Sequence, residues 1–280
     1  MSWNATAAVM SFEHSGVLAA ATRFTEALTW RAQDKAKRPH EIRVARLMRR
    51  MFNAQSAAIA RSFFPRMKRE FVEAEMPGDL GALLGSLLAN DRGRWQTALA
   101  ALLARVFTEA GVSISRDLNL GPDFEMPVDR PLQIMTERAG DRITRIDETT
   151  RDAVRVILTD GIAQRKSYQQ VARELRAKFR EFSTPARQRH IRDRAELIAI
   201  TEVGQAYVDG QLDVAARLQS RGIAMEKAWL TVGDARVSDG CAANGTAGWI
   251  PLDSAFPSGH PAPLRFPGCR CALQMRRQSS

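Results

Sequence analysis

The chain has 280 residues and carries 41 Lys and Arg against 31 Asp and Glu, which gives a formal net charge of +10 at pH 7. Hydrophobic residues make up 45% and charged residues 26%, as in ordinary globular domains, and no window approaches the ~18 to 20 uncharged apolar residues of a membrane span. The composition argues against a membrane-spanning or disordered protein, and the charge predicts attraction to polyanions such as nucleic acid or an acidic protein surface.

Residues 1–120 are predicted to form a basic helical domain. Near the N-terminus, Glu13 and His14 interrupt the apolar stretch, so we expect no secretory signal and a protein kept in the cytoplasm. Apolar residues then recur at helical spacing over residues 44–63 and again over residues 99–107. The pattern therefore predicts at least two amphipathic helices in this domain.

A dense run of basic residues lies within the first helical block, opposed there only by Asp34 and Glu41. Such a run is either a solvated helix face or a contact surface for double-stranded DNA or an acidic partner, bound without sequence preference. The residues that we expect to make this contact are Arg31, Arg43, Arg46, Arg49, Arg50, Arg66, Lys68 and Arg69.

Residues 121–222 are predicted to form a second helical segment. Gly111 stands where the preceding helix is expected to end, and several Gly and Pro residues then mark a linker. One helix is expected to start at Pro131, and another is expected to start near Thr150 and close near Gly161.

Two further helix starts are visible in this segment. Ser167 and Gln170 have the spacing of a capping box, in which each side chain bonds the backbone N–H of the other residue. Thr184 followed by Pro185 suits an N-cap and a first helical position. A long helix is expected after them, ended by Gly222.

Residues 223–280 are predicted to form a small irregular α+β module, so that the whole chain is mainly α. Residues 228–232 and 271–275 read as short strands, and the segment between them is rich in Gly, Pro, Ser and Asp. Because the module has few apolar residues, a metal, a disulfide or packing on the long helix must fix its shape.

All three cysteines lie in this module. Cys241, His260, Cys269 and Cys271 supply four donors, the number that a structural zinc site uses. The spacing does not match a standard zinc finger, so three interpretations remain open: structural zinc, a disulfide, or plain buried thiols. Catalytic zinc is disfavoured, because no His-Glu pair at helical spacing accompanies these residues.

The charged residues near the cysteines favour structural roles over catalytic ones. Asp234, Arg236 and Asp239 are expected to form an ion-pair and turn network that ties the loop to the strand of Trp229. On the long helix, Glu196 and Glu202 can pair with Arg192 and Arg194, and the expected role of these carboxylates is a solvated or interhelical salt bridge.

The chain lacks the Gly-rich and nucleophile signatures of ATP hydrolysis, dinucleotide binding and α/β-hydrolase chemistry. Its second half instead carries an ordered set of motifs: Arg194 to Glu202, Tyr207, Gly210, Lys227-Ala-Trp229, Asp234-Ala-Arg236, Asp239-Gly-Cys241, Asn244, Gly248, Asp253, Phe256 to His260, and Cys269-Arg-Cys271. In order and spacing, this set resembles the Mu F-like head morphogenesis family of tailed phages, also called minor head or minor capsid proteins. The resemblance covers about residues 130–275.

The resemblance implies a non-enzymatic virion protein that binds near the portal inside the head, contacts capsid or scaffold proteins, and assists assembly and DNA packaging or delivery. It implies synthesis and assembly in the host cytoplasm and no membrane partner. Two potential metal ligands of many family members are absent, since Ser238 and Phe266 stand where those members carry Cys and His. A metal-dependent hydrolase and a prophage effector built on the same module are the alternatives.

Overall fold

The computed structural model describes residues 29–65, 67, 78–120, 129–183 and 193–278. Within these ranges the chain forms seven α-helices and one three-stranded antiparallel sheet, which confirms a mainly α fold with a small α+β module near the C-terminus. The elements are α1 (Trp30–Ala58), α2 (Gly78–Ala89), α3 (Arg92–Asp117), α4 (Asp129–Ala163), α5 (Tyr168–Ser183), α6 (Arg194–Ser220), β1 (Met225–Leu230), α7 (Asp239–Thr246), β2 (Trp249–Pro251) and β3 (Ala272–Arg277). A π-helical turn, Ile59–Phe63, follows α1.

Two helices run further than the sequence pattern predicts. Helix α3 passes through Gly111 and ends at Asp117, because buried Ala110 and Ile114 continue its apolar face. Helix α4 is one helix of 35 residues rather than two. The side chain of Thr150 does not cap a new helix: its hydroxyl donates to Ile146 O within the same helix (2.8 Å).

Other helix ends agree with the sequence. Ser167 N donates to Gln170 Oε1 (2.7 Å) and Gln170 N donates to Ser167 Oγ (3.3 Å), which confirms the capping box before α5. After α6, Gly222 takes a φ of +83° and Ile223 N donates to Leu218 O (3.0 Å), the pattern of a Schellman C-cap. The predicted start at Thr184 and Pro185 lies outside the described residues.

The chain divides into two units that interleave along the sequence. The first, here the cysteine unit, combines the described parts of Met1–Pro39, Phe107–Met126 and Tyr207–Ser280. The second, here the helical unit, combines those of His40–Val106 and Pro127–Ala206. The three consecutive domains suggested by the sequence, 1–120, 121–222 and 223–280, stay a prediction.

Each unit has its own apolar core. In the helical unit, the buried side chains follow helical spacing along α1, α3, α4 and α5, as Val44, Met48, Leu99, Leu103 and Val171 illustrate. In the cysteine unit, apolar residues from the C-terminal part of α6 and from the sheet pack together with all three cysteines.

The sheet has the strand order β2-β1-β3, with both pairings antiparallel. Trp229 of β1 lies opposite Leu273 of β3, and Lys227 of β1 lies between Ile250 and Met275. The two strands expected from the sequence are β1 and β3, with β1 starting three residues earlier than predicted. The sequence pattern did not predict β2 or helix α7.

Among the described residues, one helix, α3, is long and apolar enough to cross a membrane by length and composition alone. The buried core helices of globular proteins pass the same test. Arg105 and Glu109 interrupt the apolar sequence of α3, and its residues Leu99, Leu103 and Phe107 are buried in the protein. The helix is therefore weak evidence for a membrane span.

Candidate functional site

Cys241, which lies 28 residues before Cys269 in the sequence, comes together with Cys269 and Cys271 in the cysteine unit. Their sulfur atoms all lie within 4.8 Å of one another, and the side chains are buried, with exposed fractions of 1 to 4%. The distance between Cys241 Sγ and Cys269 Sγ is 4.0 Å. Zn–S bonds of about 2.3 Å at tetrahedral angles place sulfur atoms about 3.8 Å apart, so the spacing suits a thiolate-bound metal.

Local turns place these sulfur atoms. The Ser238 side chain caps helix α7 by accepting from Cys241 N (3.4 Å), which fixes Cys241 in the first helical turn. On the other side, a turn closes between Phe266 O and Cys269 N (3.1 Å), with Gly268 at a φ of +79°. Cys271 directly precedes β3, whose pairing with β1 then fixes its position.

Hydrogen bonds give the thiols of this cluster different pKa values. A bond from the Cys271 thiol lowers the pKa of Cys269 to about 5, and the backbone N–H groups of Cys271 and Arg265 add to this effect. Donating that hydrogen bond, together with burial, raises the pKa of Cys271. The surroundings of Cys269 thus suit a thiolate, the form in which cysteine binds metals.

His260 is not part of the group of ligand atoms around the sulfurs. Its Nδ1 lies 3.0 Å from Ser258 Oγ and 3.0 Å from Ser258 O. The hydroxyl of Ser258 also accepts from Nδ2 of buried Asn244 at the end of α7 (2.8 Å). Of the four ligands expected from the sequence, the structure brings together the three cysteines and places His260 in a neighbouring loop network.

The loop between β1 and α7 contains the predicted ion pair. Arg236 Nε donates to Asp234 Oδ2 (2.8 Å), and Arg236 N donates to Asp234 Oδ1 (3.0 Å), so Asp234 holds a tight turn. Asp239 lies exposed in the first turn of α7. Trp229 is buried and meets Phe256 edge to face, with ring centroids 5.2 Å apart.

Arg194 lies at the start of α6 and occupies a buried aromatic pocket in the helical unit. Its guanidinium lies over the rings of Phe52 (5.1 Å) and Phe182 (4.6 Å) and donates to Thr150 Oγ1 (3.0 Å) and Ile146 O (3.1 Å). Burial lowers the pKa of Arg194 to about 10. These contacts make Arg194 a structural residue that joins α6 to α4.

Glu202 forms an ion pair with an arginine of another helix. Arg142 Nε of α4 lies 3.0 Å from Glu202 Oε1, which is an interhelical salt bridge. The side chain of Glu202 is almost fully buried, and Arg192, one of the partners suggested by the sequence, lies outside the described residues. Burial raises the pKa of Glu202, and the charges of Arg142 and Arg138 act in the opposite direction.

The basic residues expected to contact DNA do not share one environment. Arg31, Arg43, Arg46 and Arg50 are exposed on α1. Arg49 is half-buried, and its Nε and Nη2 donate to Asp193 Oδ2 (3.0 and 2.9 Å), so its guanidinium is engaged within the protein. The remaining three, which lie outside the described residues, are Arg66, Lys68 and Arg69.

Residues 152–274 match a family model described as Phage Mu protein F like protein. The match starts within α4, ends within β3, and includes all three cysteines, Arg194 and Glu202. It confirms, over this part of the chain, the family resemblance seen in the motifs. Neither the curated proteins nor the solved structures searched contain a match to the chain.

Proposed function

We propose that this protein, whose residues 152–274 match the Mu F-like family model, is a minor head protein of a tailed bacteriophage. The family match carries this proposal and links the protein to phage head morphogenesis. The finer proposal is that the protein binds near the portal inside the capsid, contacts capsid or scaffold subunits, and assists the packaging or delivery of DNA. Its partners are then other head proteins and double-stranded DNA.

The proposed DNA contact is the exposed side of helix α1. The two acidic residues of this helix do not oppose its cations at the surface: Glu41 is buried, and Asp34 pairs with Arg270. The exposed charged side chains of α1 are therefore all basic: Arg31, Lys35, Arg38, Arg43, Arg46 and Arg50. A row of cations of this kind binds phosphates without reading base sequence.

Salt-dependent binding to duplex DNA tests this contact. The triple variant Arg43→Gln, Arg46→Gln, Arg50→Gln should weaken binding and make the slope of log K against log salt shallower by about 2.7, if each arginine neutralises one phosphate. The matched control is Arg151→Gln, Arg155→Gln, Arg173→Gln, which removes the same charge from exposed positions on α4 and α5. Equal losses of DNA affinity in the two triple variants would contradict the proposed contact. DNA affinity that does not change with salt concentration would also contradict it.

For the cysteine cluster, the proposal is a structural zinc held by Cys241, Cys269 and Cys271. The three buried sulfurs, their spacing and the N–H groups directed at Cys269 fit this metal. Among the described residues, no His or carboxylate ligand atom joins the three sulfurs within 4.8 Å of all of them. Three sulfurs leave the fourth position of a tetrahedral zinc without a ligand among the described residues, but the sulfurs are buried and no carboxylate oxygen joins them to act as a general base. The site therefore favours a stabilising role, in which zinc contributes to the folding of the surrounding loops, over a hydrolytic one.

Metal analysis of the purified full chain tests the zinc site. One zinc per chain is expected in wild type, with loss of both metal and folded module in Cys269→Ser. A folded Cys269→Ser variant that has lost a metal-dependent hydrolysis would instead support the enzyme alternative. Wild-type protein that holds no metal and titrates as a disulfide plus one thiol would refute the zinc site.

A further inference from the structure

The N-terminal end of helix α1 is fastened to the loop that carries two of the cysteines. Trp30 Nε1 donates to Arg270 O (2.6 Å), and Gln33 Nε2 donates to Leu273 O (2.7 Å). Asp34 forms an ion pair with the side chain of Arg270. Arg270 lies between Cys269 and Cys271, so both its backbone and its side chain join the cysteine loop to α1.

The two faces of this helix end carry different chemistry. Trp30, Gln33, Asp34 and Lys37 follow helical i, i+3, i+4, i+7 spacing, and all four are buried or half-buried. The neighbouring face carries exposed cations, namely Arg31, Lys35 and Arg38. One face therefore contacts the Cys269-Arg270-Cys271 loop and β3, while the other presents positive charge.

Pro39 weakens the connection of this end to the rest of α1. Because Pro has no backbone N–H, the helical bond from residue 39 to Lys35 O is missing, and the ladder that would hold residues 30–38 in place is incomplete. The contacts to Arg270 and Leu273 consequently contribute a larger share of what keeps this end in position.

The receiving loop depends on the cysteines for its shape. Arg270 is not itself a paired strand residue, and its two neighbours in sequence are cluster cysteines, of which Cys271 directly precedes β3 and Cys269 closes the preceding turn. Anything that fixes Cys269 and Cys271 therefore also fixes the carbonyl and guanidinium that bind Trp30 and Asp34.

We propose that the Cys269-Arg270-Cys271 loop is the docking site of the N-terminal end of α1, and that metal binding by the cysteines regulates how firmly this end is held. Zinc loading then keeps Arg31, Lys35 and Arg38 in a fixed row, and metal loss releases it. This inference rests on the proposed zinc site and connects that site to the proposed DNA contact.

Hydrogen exchange of the full chain, with zinc chloride and with a chelator, tests the regulation. Chelation should increase amide exchange at least threefold in residues 30–38 and in residues 268–275, and it should leave residues 196–206 of α6 unchanged. Faster exchange in residues 268–275 with no change in residues 30–38 would overturn the coupling. No response to zinc anywhere would overturn the regulatory role of the metal, and the variants below would still decide the docking.

Two variants test the docking without touching a cysteine. Asp34→Asn should increase exchange of residues 30–38 at least threefold while zinc content stays at the wild-type level, and the exposed change Asp152→Asn on α4 is the control. The charge swap Asp34→Arg with Arg270→Asp should restore part of the protection. Unchanged exchange in Asp34→Asn would overturn the docking site. Failure of DNA binding would refute the proposed DNA contact and leave these exchange results as they are.

Discussion

The two units bury different kinds of chemistry. In the helical unit, Asp147, Asp193 and Glu202 are buried carboxylates, and each is paired with an arginine from another helix. The cysteine unit also buries charged side chains, namely Lys37 and Lys227, but it differs in burying three thiols with no disulfide between them. The helical unit thus supplies arginine partners for its buried carboxylates, whereas the cysteine unit presents sulfur donors that suit a ligand.

This difference predicts different modes of failure. A buried carboxylate that loses its partner leaves an uncompensated charge, and the cost falls directly on folding. A thiol cluster that loses a metal loses folding free energy only around the site. Variants and metal removal can therefore distinguish the two units.

The largest expected effect is removal of the proposed zinc from the cysteine unit. Structural zinc contributes on the order of 10 kcal/mol to the folding of small zinc domains, so chelation should eliminate the protection of β1 and β3 against hydrogen exchange. Helical-unit segments such as residues 196–206 should keep theirs. His260→Gln is the matched control and should retain full zinc content, because His260 lies outside the sulfur cluster. Zinc loss in His260→Gln would make that residue a ligand.

The next effect concerns Asp147 in the helical unit. Its carboxylate accepts from buried Gln55 Nε2 (2.8 Å) and from Nε of the partly exposed Arg92 (3.0 Å), so Asp147→Ala leaves the Gln55 amide without this acceptor. We expect the free energy of unfolding to fall by about 2–3 kcal/mol, as measured by urea denaturation. Glu181→Ala breaks an exposed pair with Lys178 and should cost at most about 0.5 kcal/mol. Equal losses in the two variants would contradict a buried network.

A smaller effect is expected at Gly210 of α6, in the cysteine unit. A Cβ atom at this position would lie 2.2 Å from the backbone oxygen of Phe107, so the helices must separate in Gly210→Ala. We expect a loss of about 1–3 kcal/mol in thermal unfolding. Gly85→Ala is the control, because no atom lies within 4 Å of its Cβ position, and it should stabilise helix α2 by about 0.5–1 kcal/mol. A gain in stability for Gly210→Ala would show that the two helices can separate freely.

The smallest effect is a pH dependence at Glu202. Burial raises the pKa of this carboxyl in the folded state, so the folded protein holds the proton more tightly than the unfolded chain. The corresponding stability is present below the ordinary Glu pKa and is lost as pH rises through the folded-state value. Urea midpoints measured from pH 4 to 8 should therefore show a shallower decline in Glu202→Gln than in wild type. The exposed change Glu148→Gln on α4 is the control, and an unaltered slope in Glu202→Gln would contradict the assignment.

Local signals in the sequence predicted much of the helical architecture. The capping box at Ser167 and Gln170, the stop at Gly222 and the apolar period of α1 are all decided within a few residues, and the structure confirms them. The helix end at Gly111 was wrong, because burial of Ala110 and Ile114 outweighs the weak helix propensity of one glycine. The candidate metal site was predicted as four donors, and the structure brings together three of them.

The sequence did not predict which residues far apart in the chain contact each other. The sequence allowed an interhelical salt bridge for Glu202 but did not indicate its partner, which is Arg142 of α4, nor that Asp193 binds Arg49 of α1. The docking of Trp30 and Asp34 on Arg270 joins residues about 240 positions apart. By itself the sequence determined the helices, the basic character and the family motifs, since these depend on local spacing and composition. Only the tertiary structure decided which buried charge meets which partner and which cysteines meet, because burial free energy depends on side chains that the fold, and not the order of residues, brings into contact.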